Sequence, residues 1–319
     1  MKHACRSMAG IILLLTCCSW GFYAHYRINR FAVFTLPKAM RAFYEANIGF
    51  VTQHAISADK RRYVDSTEAP KHFLNADYYG KNPFSKIPRN WDDACIKFNA
   101  DTIIKNGTLP WTISYNYYRL VKAFKVHDTT AILTLSANLG HYIADAHVPL
   151  HLTQNYNGQL SRQSGIHALW ESRMPELFGD HYRYYAGKAL YIENPLAEAF
   201  KICSTSFKSV DSVLRFERIL DKQFPTRKKY AIVMHGKRAV KDYSFEYARA
   251  YQQMLHGMVQ RRMRAAILSV GSFWYSAWID AGQPDLDQLI KVPLSPAEKN
   301  KIRQEEILYR AGKVVAFAK

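Results

Sequence analysis

The most informative part of the chain is H-Y-I-A-D-A-H-V-P-L-H, from His141 to His151, followed by G-I-H-A-L-W-E, from Gly165 to Glu171. In each stretch a histidine is followed four positions later by a carboxylate, and helical residues four apart point to the same side. Neutral imidazole and carboxylate oxygen are preferred ligands of Zn²⁺. The five candidate ligands are His141, Asp145, His151, His167 and Glu171. This density of ligands predicts a centre with more than one metal ion, which favours hydrolytic chemistry.

Outside these stretches, apolar residues recur mostly at steps of three and four, which predicts helices. No alternation is strong enough to predict a sheet, and there is no internal repeat. Pro149 and Pro175 are expected to end the helices before them, and S-P-A-E at Ser295 is a capping box that opens a last helix, about 295–319. The other predicted helices cover residues 35–56, 114–148, 166–174, 195–223 and 240–279, the last one bent near Gly257 or Gly271. We therefore expect an all-α protein with a single multi-helix domain.

The first 19 residues are typical of a secretory signal peptide. Lys2 and Arg6 precede a mostly apolar run, Met8 to Thr16, which is too short to span a bilayer. Small residues before Trp20 predict cleavage there, leaving a domain of residues 20–319 that is secreted or periplasmic. A retained membrane anchor or a lipoprotein signal is the alternative reading.

The chain is strongly basic, with a formal net charge of +18 at pH 7. Such a surface attracts phosphate esters, nucleic acids or anionic lipid headgroups, although the same charge also serves solubility alone. Basic residues cluster at Arg227–Lys229, Lys237–Arg238 and Arg261–Arg264, and each cluster suits a nucleic-acid backbone, an anionic bilayer or a solvated helix face. Cys95 and Cys203, the two cysteines beyond the signal, are open to pairing or to staying free.

The histidine and carboxylate spacing resembles that of the zinc-dependent phospholipase C and fungal-type single-strand nuclease superfamily. The signature of that superfamily is H-x-x-x-D-x-x-x-x-x-H followed by H-x-x-x-E or H-x-x-x-D, and both parts are present here. The resemblance extends to W-G-F-Y-A-H, which provides Trp20 and His25, and to Asp59 and His72 in the segments that follow. It covers roughly Trp20 to Glu171, so the last helix lies outside the recognised motifs.

The resemblance implies a phospholipase C-type helical fold with a cleft that holds three zinc ions. Asp59, His72, His141 and Asp145 would bind the first ion, and the α-amine and carbonyl of Trp20 with His25 would bind the second. Asp145 would bridge these two ions, and His151, His167 and Glu171 would bind the third. A zinc-bound hydroxide would then attack phosphorus, with Asp145 as the bridging carboxylate and Asp59 as a further group that steers the water.

The substrate is less clearly indicated. Glu171 and the short gap between His151 and His167 resemble the phospholipase branch, whereas the step from Trp20 to His25 and the presence of His147 resemble the nuclease branch. Tyr23, Lys60 and Phe73 occupy positions that contact substrate in relatives. Since Lys60 would repel a choline cation, a phosphatidylcholine preference is doubtful, and Phe73 could stack on a base or simply be buried.

We therefore expect a secreted, monomeric, zinc-dependent phosphodiester hydrolase of the phospholipase C-like branch, in possible peripheral contact with anionic membranes. The alternatives are a single-strand nuclease or nucleotidase with the same trizinc site, and a non-enzymatic, zinc-stabilised binding protein. His147 is expected either behind the ligands or on the surface. Asp65, Glu68 and Asp77 are expected to be loop charges or to support ligands.

Overall fold

The computed structural model describes residues 22–235 and 238–313. The first half of the chain forms α1 (Phe22–Val33), α2 (Lys38–Ala46), α3 (Ile48–Gln53), α4 (Ser57–Arg61), α5 (Pro83–Lys86), α6 (Trp91–Phe98), α7 (Ala100–Asn106), α8 (Leu109–Lys125) and α9 (Thr129–Ala146). The second half forms α10 (Ile166–Ala168), α11 (Met174–Phe178), α12 (Pro195–Phe207), α13 (Val210–Gln223), α14 (Phe245–Met254), α15 (Met258–Asp280) and α16 (Pro296–Arg310). The expectation of a helical protein is confirmed.

The predicted start of the long helix at residue 240 is wrong. Residues 240–243 are not the start of a helix but belong to β2 (Arg238–Tyr243), which pairs antiparallel with β1 (Tyr230–His235). Both strands contain the β-branched or aromatic residues that suit a pleated surface, but each is too short to show a clear alternation. The long helix predicted behind them is divided at Gly257, whose φ of 74° places it in the left-handed region.

Helix α9 lies at the centre of the core, packed against α1, α8 and α15. Asp128 begins this helix, because its side chain accepts a hydrogen bond from Ala131 N at 3.0 Å. Trp274 of α15 donates to Ser136 O at 3.0 Å and stacks on Tyr44, with ring centroids 5.0 Å apart. These contacts enclose the second half of α9, where every residue from Leu135 to Ala146 is buried, its polar side chains included.

The last helix is part of the same core. Ser295 and Glu298 form the predicted capping box of α16, and Tyr309 is buried against Phe31 of α1, with ring centroids 5.4 Å apart. Cys95 and Cys203 are free thiols. Within the described residues, no helix is both long enough and apolar enough to cross a membrane.

Candidate metal centre

Helix α9 carries the two central residues of the site. His141 and Asp145 lie one helical turn apart and are almost completely buried, at 0% and 1% exposure. His141 Nε2 lies 3.3 Å from Asp145 Oδ2, as the four-residue spacing predicts. Burying a charged carboxylate next to polar rings costs free energy unless partners compensate, so their presence in the core calls for a group that binds both.

Three other segments bring further ligands to this pair. His72, at the end of the 3₁₀ turn Ala69–His72, places Nδ1 2.9 Å from Asp145 Oδ2 and 3.0 Å from His141 Nε2. Asp59 of α4 contributes Oδ1, which lies 3.7 Å from His141 Nε2. His25 of α1 approaches from the other side, with Nε2 3.4 Å from Asp145 Oδ1. Asp145 therefore turns one oxygen to His25 and the other to His72 and His141.

A second set of ligands adjoins the first. His167 Nε2 lies 2.6 Å from Glu171 Oε2, and His151 Nε2 lies 3.2 Å from the same oxygen. The other oxygen of Glu171 lies 3.4 Å from His25 Nε2, so His25 stands between the two sets. The geometry yields three groups of potential metal ligands, namely His25/His141/Asp145, Asp59/His72/His141 and His151/His167/Glu171.

The local backbone around Glu171 departs from the helix that the sequence predicts. Leu169–Arg173 forms a π-helical turn, and the chain then continues as α11 instead of ending at Pro175. Proline has no N–H to donate to the carbonyl four residues earlier, at Glu171, so the α-helical ladder is interrupted there. Pro175 itself lies in the first turn of α11, where a missing N–H is tolerated. Single π-turns of this kind frequently accompany functional sites.

Backbone carbonyls fix the orientation of two ligand rings. His141 Nδ1 donates to Ala55 O at 2.8 Å, and His151 Nδ1 donates to His72 O at 2.6 Å. A nitrogen that donates to a carbonyl carries a proton, so Nε2 is the nitrogen of each ring that faces the carboxylates. Both rings are thus oriented with Nε2 available to a metal ion, which would take the place of any proton there.

The buried carboxylates and histidines of the centre lie next to one another and shift one another's pKa. Burial opposes ionisation of Asp145, but the nearby His141 and His151 outweigh it and hold the carboxyl pKa well below its usual range. Burial likewise opposes ionisation of Glu171, and His151 together with other histidines lowers its pKa well below normal. Burial lowers the pKa of His151, but Asp145 and Glu171 raise it more, to about 9. The carboxylates are therefore ionised and attract cations.

A buried carboxylate supports His72 from behind. Glu68 is 1% exposed, and its Oε1 lies 3.6 Å from His72 Nε2. Glu68 also accepts hydrogen bonds from Tyr142 and, at 3.1 Å, from Arg61, and it pairs with Lys71 at 2.8 Å. The sequence allowed a supporting role for Glu68, but it gave no signal for Arg61 or Tyr142, which contact it only in the fold.

An open cleft of about 820 Å³ leads to the ligands. Its lining includes His72, His151 and His167 together with Phe73, Arg62 and Tyr156. Phe73 thus lies where a substrate contact is expected, and Lys60 is exposed one position after Asp59. Tyr23 is placed elsewhere, because its hydroxyl donates to Asp180 at 2.8 Å and its ring packs beside Arg27.

None of the remaining candidates that the structure describes belongs to a ligand group. Trp20 lies outside the described residues. His147 is buried, with Nδ1 donating to Ile143 O at 2.8 Å, and it belongs to none of the three ligand groups. Asp77 accepts hydrogen bonds from Thr153 and Gln154 in the loop before His167, and Asp65 caps the exposed turn at Thr67.

The donor set fits a divalent first-row metal ion. Eight side chains supply only imidazole nitrogens and carboxylate oxygens, at least two rings turn Nε2 inward, and the described thiols lie elsewhere. No family model and no curated protein matches the chain.

Proposed function

We propose that this protein is a zinc-dependent phosphodiester hydrolase of the phospholipase C-like kind, with three zinc ions per chain. The observation that carries the proposal is the meeting of eight ligands, from His25 to Glu171, in three adjoining groups beside one open cleft. Structural zinc sites are usually isolated and closed by four protein ligands. Three adjoining groups, two of which share His141, favour a catalytic assembly over a stabilising one.

Bound zinc would supply positive charge for a phosphate and would lower the pKa of a water molecule. Residues of this chain would hold the ions, orient the attacking water and position the phosphate. Asp145 presents its two oxygens to different ligand groups, so it is placed to bridge two ions. Asp59 is the most exposed carboxylate of the centre, at 24%, so it is available to accept a hydrogen bond from an attacking water. His151 and His167 of the third ligand group line the cleft, so this group would hold a phosphate oxygen of the substrate.

The cleft favours an anionic or neutral substrate group over a cationic one. Arg62 lines it and Lys60 is exposed next to Asp59, whereas no carboxylate is among the described residues that line it. A choline-binding site needs negative charge or an aromatic cage. We therefore expect phosphodiesters with uncharged or anionic leaving groups to be preferred over phosphocholine esters.

A nuclease or nucleotidase activity is the second candidate, and one observation favours it. Phe73 and Tyr156 both line the cleft, and Tyr156 is 52% exposed with its ring centroid 6.1 Å from that of His167. Exposed aromatic faces next to a phosphate site can stack nucleobases. Salt distinguishes the two candidates, since binding of single-stranded nucleic acid weakens steeply with added salt.

The direct test is turnover of bis(p-nitrophenyl) phosphate, p-nitrophenyl phosphocholine and single-stranded DNA by the zinc-loaded protein. We expect hydrolysis of the first compound, loss of activity with a chelator, and recovery on adding zinc. Asp145→Asn should abolish turnover, whereas the exposed His181→Gln should retain it. A folded, zinc-loaded protein without activity on any of the three would instead support the zinc-stabilised binding protein.

A further inference from the structure

The hairpin of β1 and β2 has two faces of different character. The register pairs Ile232 with Lys241 and Met234 with Ala239, so these four residues share one face. On that face Ile232 is 71% exposed and Met234 is 64% exposed. The opposite face contains Asp242, which is buried and paired with Arg173 at 3.0 Å. The apolar side chains therefore lie on the solvent side of the hairpin, which we call the outer face.

Basic residues adjoin the outer face. Arg227 and Lys228, just before β1, are both exposed, and Lys241 lies on the face itself with Nζ 4.6 Å from the ring centroid of Tyr230. The outer face contains no acidic residue, and the acidic groups near its base, Glu217 and Asp221, are paired with the buried Lys229. The hairpin thus combines exposed aliphatic side chains with uncompensated positive charge.

The base of the hairpin contacts both ends of the segment that carries the third ligand group. Besides the ion pair between Asp242 and Arg173, the hydroxyl of Tyr243 donates to Ser164 O at 3.2 Å. Ser164 and Arg173 bracket the segment that carries His167 and Glu171. Anything that binds the outer face would therefore lie on a hairpin that contacts the segment of the third ligand group at two points.

We propose that the outer face docks the protein on an anionic lipid surface, with Ile232 and Met234 entering the headgroup region. Exposed aliphatic residues gain by leaving water, and nearby Lys and Arg gain from anionic headgroups, so the two attractions act together. A nucleic acid would use the positive charge but would leave Ile232 and Met234 in water, since aliphatic side chains cannot stack on bases. The role of this docking in presenting lipid to the cleft rests on the proposed function; the docking itself does not.

The test is co-sedimentation of the full chain with vesicles of 3:1 phosphatidylcholine to phosphatidylglycerol and with vesicles of phosphatidylcholine alone. We expect binding to the anionic vesicles and at least tenfold weaker binding by the double variant Ile232→Ser, Met234→Ser. Arg227→Gln with Lys228→Gln should weaken binding to the anionic vesicles by several-fold. The matched control, Leu190→Ser with Val292→Ser, removes two equally exposed apolar residues and should bind as the wild type does.

Circular dichroism verifies that each variant is folded, and turnover of bis(p-nitrophenyl) phosphate is measured in parallel. Unchanged turnover with lost vesicle binding supports docking through the outer face, and an inactive protein that still binds vesicles contradicts only the proposed function. The docking proposal is overturned if the wild type does not bind anionic vesicles, or if the hairpin variant binds them as tightly. It is also overturned if the hairpin variant loses as much affinity for single-stranded DNA as for the anionic vesicles, or if the control pair weakens vesicle binding equally.

Discussion

Glu68 Oε1 lies 3.6 Å from Nε2 of His72, while Nδ1 of the same ring lies 2.9 Å from Asp145. The imidazole is therefore held between two carboxylates, one inside the metal centre and one behind it. A carboxylate behind a histidine ligand fixes the ring and increases its basicity.

Glu68→Gln is expected to lower zinc affinity by about 10- to 100-fold, the usual cost of losing such a partner. Zinc retention against a competing chelator measures this effect. Asp65→Asn is the matched control, because Asp65 interacts with Thr67 in the same loop and is in none of the ligand groups. Equal zinc retention by the two variants would show that Glu68 does not support the metal centre.

The shared position of His141 leads to a stoichiometric prediction. His141 belongs to two of the three ligand groups, whereas His167 belongs to one. Only Nε2 of His141 is free to bind, because Nδ1 donates to Ala55 O, so the ring serves one ion. His141→Ala and His167→Ala should therefore each lose one zinc ion, from different groups. Elemental analysis of dialysed protein gives the count, with the exposed His181→Ala as a control that keeps all three. Loss of all three ions from either variant would mean that the groups are not separate sites.

The proposed cleavage before Trp20 leads to another prediction. Helix α1 begins at Phe22, two residues after Trp20, and it places His25 at 3.4 Å from Asp145. If the free α-amine of Trp20 is a ligand, protein that starts at Trp20 should bind three zinc ions. Protein with one extra N-terminal residue should bind two. One zinc ion or none in the mature form would contradict the trinuclear proposal.

Gly140 precedes His141 in α9 and leaves no room for a side chain. A Cβ at this position would lie 2.1 Å from Oδ1 of Asn29, whose buried amide donates to Val51 O and Ala137 O. Gly140→Ala should therefore destabilise the fold by about 1–3 kcal/mol, the usual cost of overpacking a core. Gly49→Ala is the matched control, since nothing lies within 4 Å of its Cβ, and it should be neutral or stabilising by up to about 1 kcal/mol. Urea unfolding compares the two.

Glu176, which is not in any ligand group, leads to a prediction about how the stability of the fold depends on pH. Burial raises its pKa to about 7, Arg173 lowers it and Asp242 raises it. The folded protein thus favours the protonated Glu176 carboxyl. Between about pH 4.5 and 7 this carboxyl is ionised in the unfolded chain but still protonated in the folded one, so the free energy of unfolding falls as pH rises. Glu176→Gln should be more stable than the wild type at pH 8, by on the order of 1 kcal/mol after solvent screening, but not at pH 4.

Thermal unfolding at the two pH values measures this difference. The exposed Glu193→Gln, in the segment before α12, is a suitable control and should show the same small effect at both. A stabilisation by Glu176→Gln that does not depend on pH would show that the carboxyl ionises normally in the folded state.

The sequence by itself determined the helical character and the local pairs of ligands. A four-residue spacing is a property of the helix, so His141 with Asp145 and His167 with Glu171 are adjacent wherever those helices lie. The capping box at Ser295 was predictable for the same reason, since Ser295 and Glu298 interact within one turn.

The resemblance suggested which distant residues join these pairs, but only the tertiary structure brings them together. His25, Asp59 and His72 meet Asp145 because α1, α4 and a 3₁₀ turn pack around α9, and no local pattern encodes that packing. The support of His72 by Glu68 and the exposed hairpin of β1 and β2 likewise arise from long-range contacts. The hairpin escaped prediction because each strand has six residues, which gives too few alternations to identify a sheet.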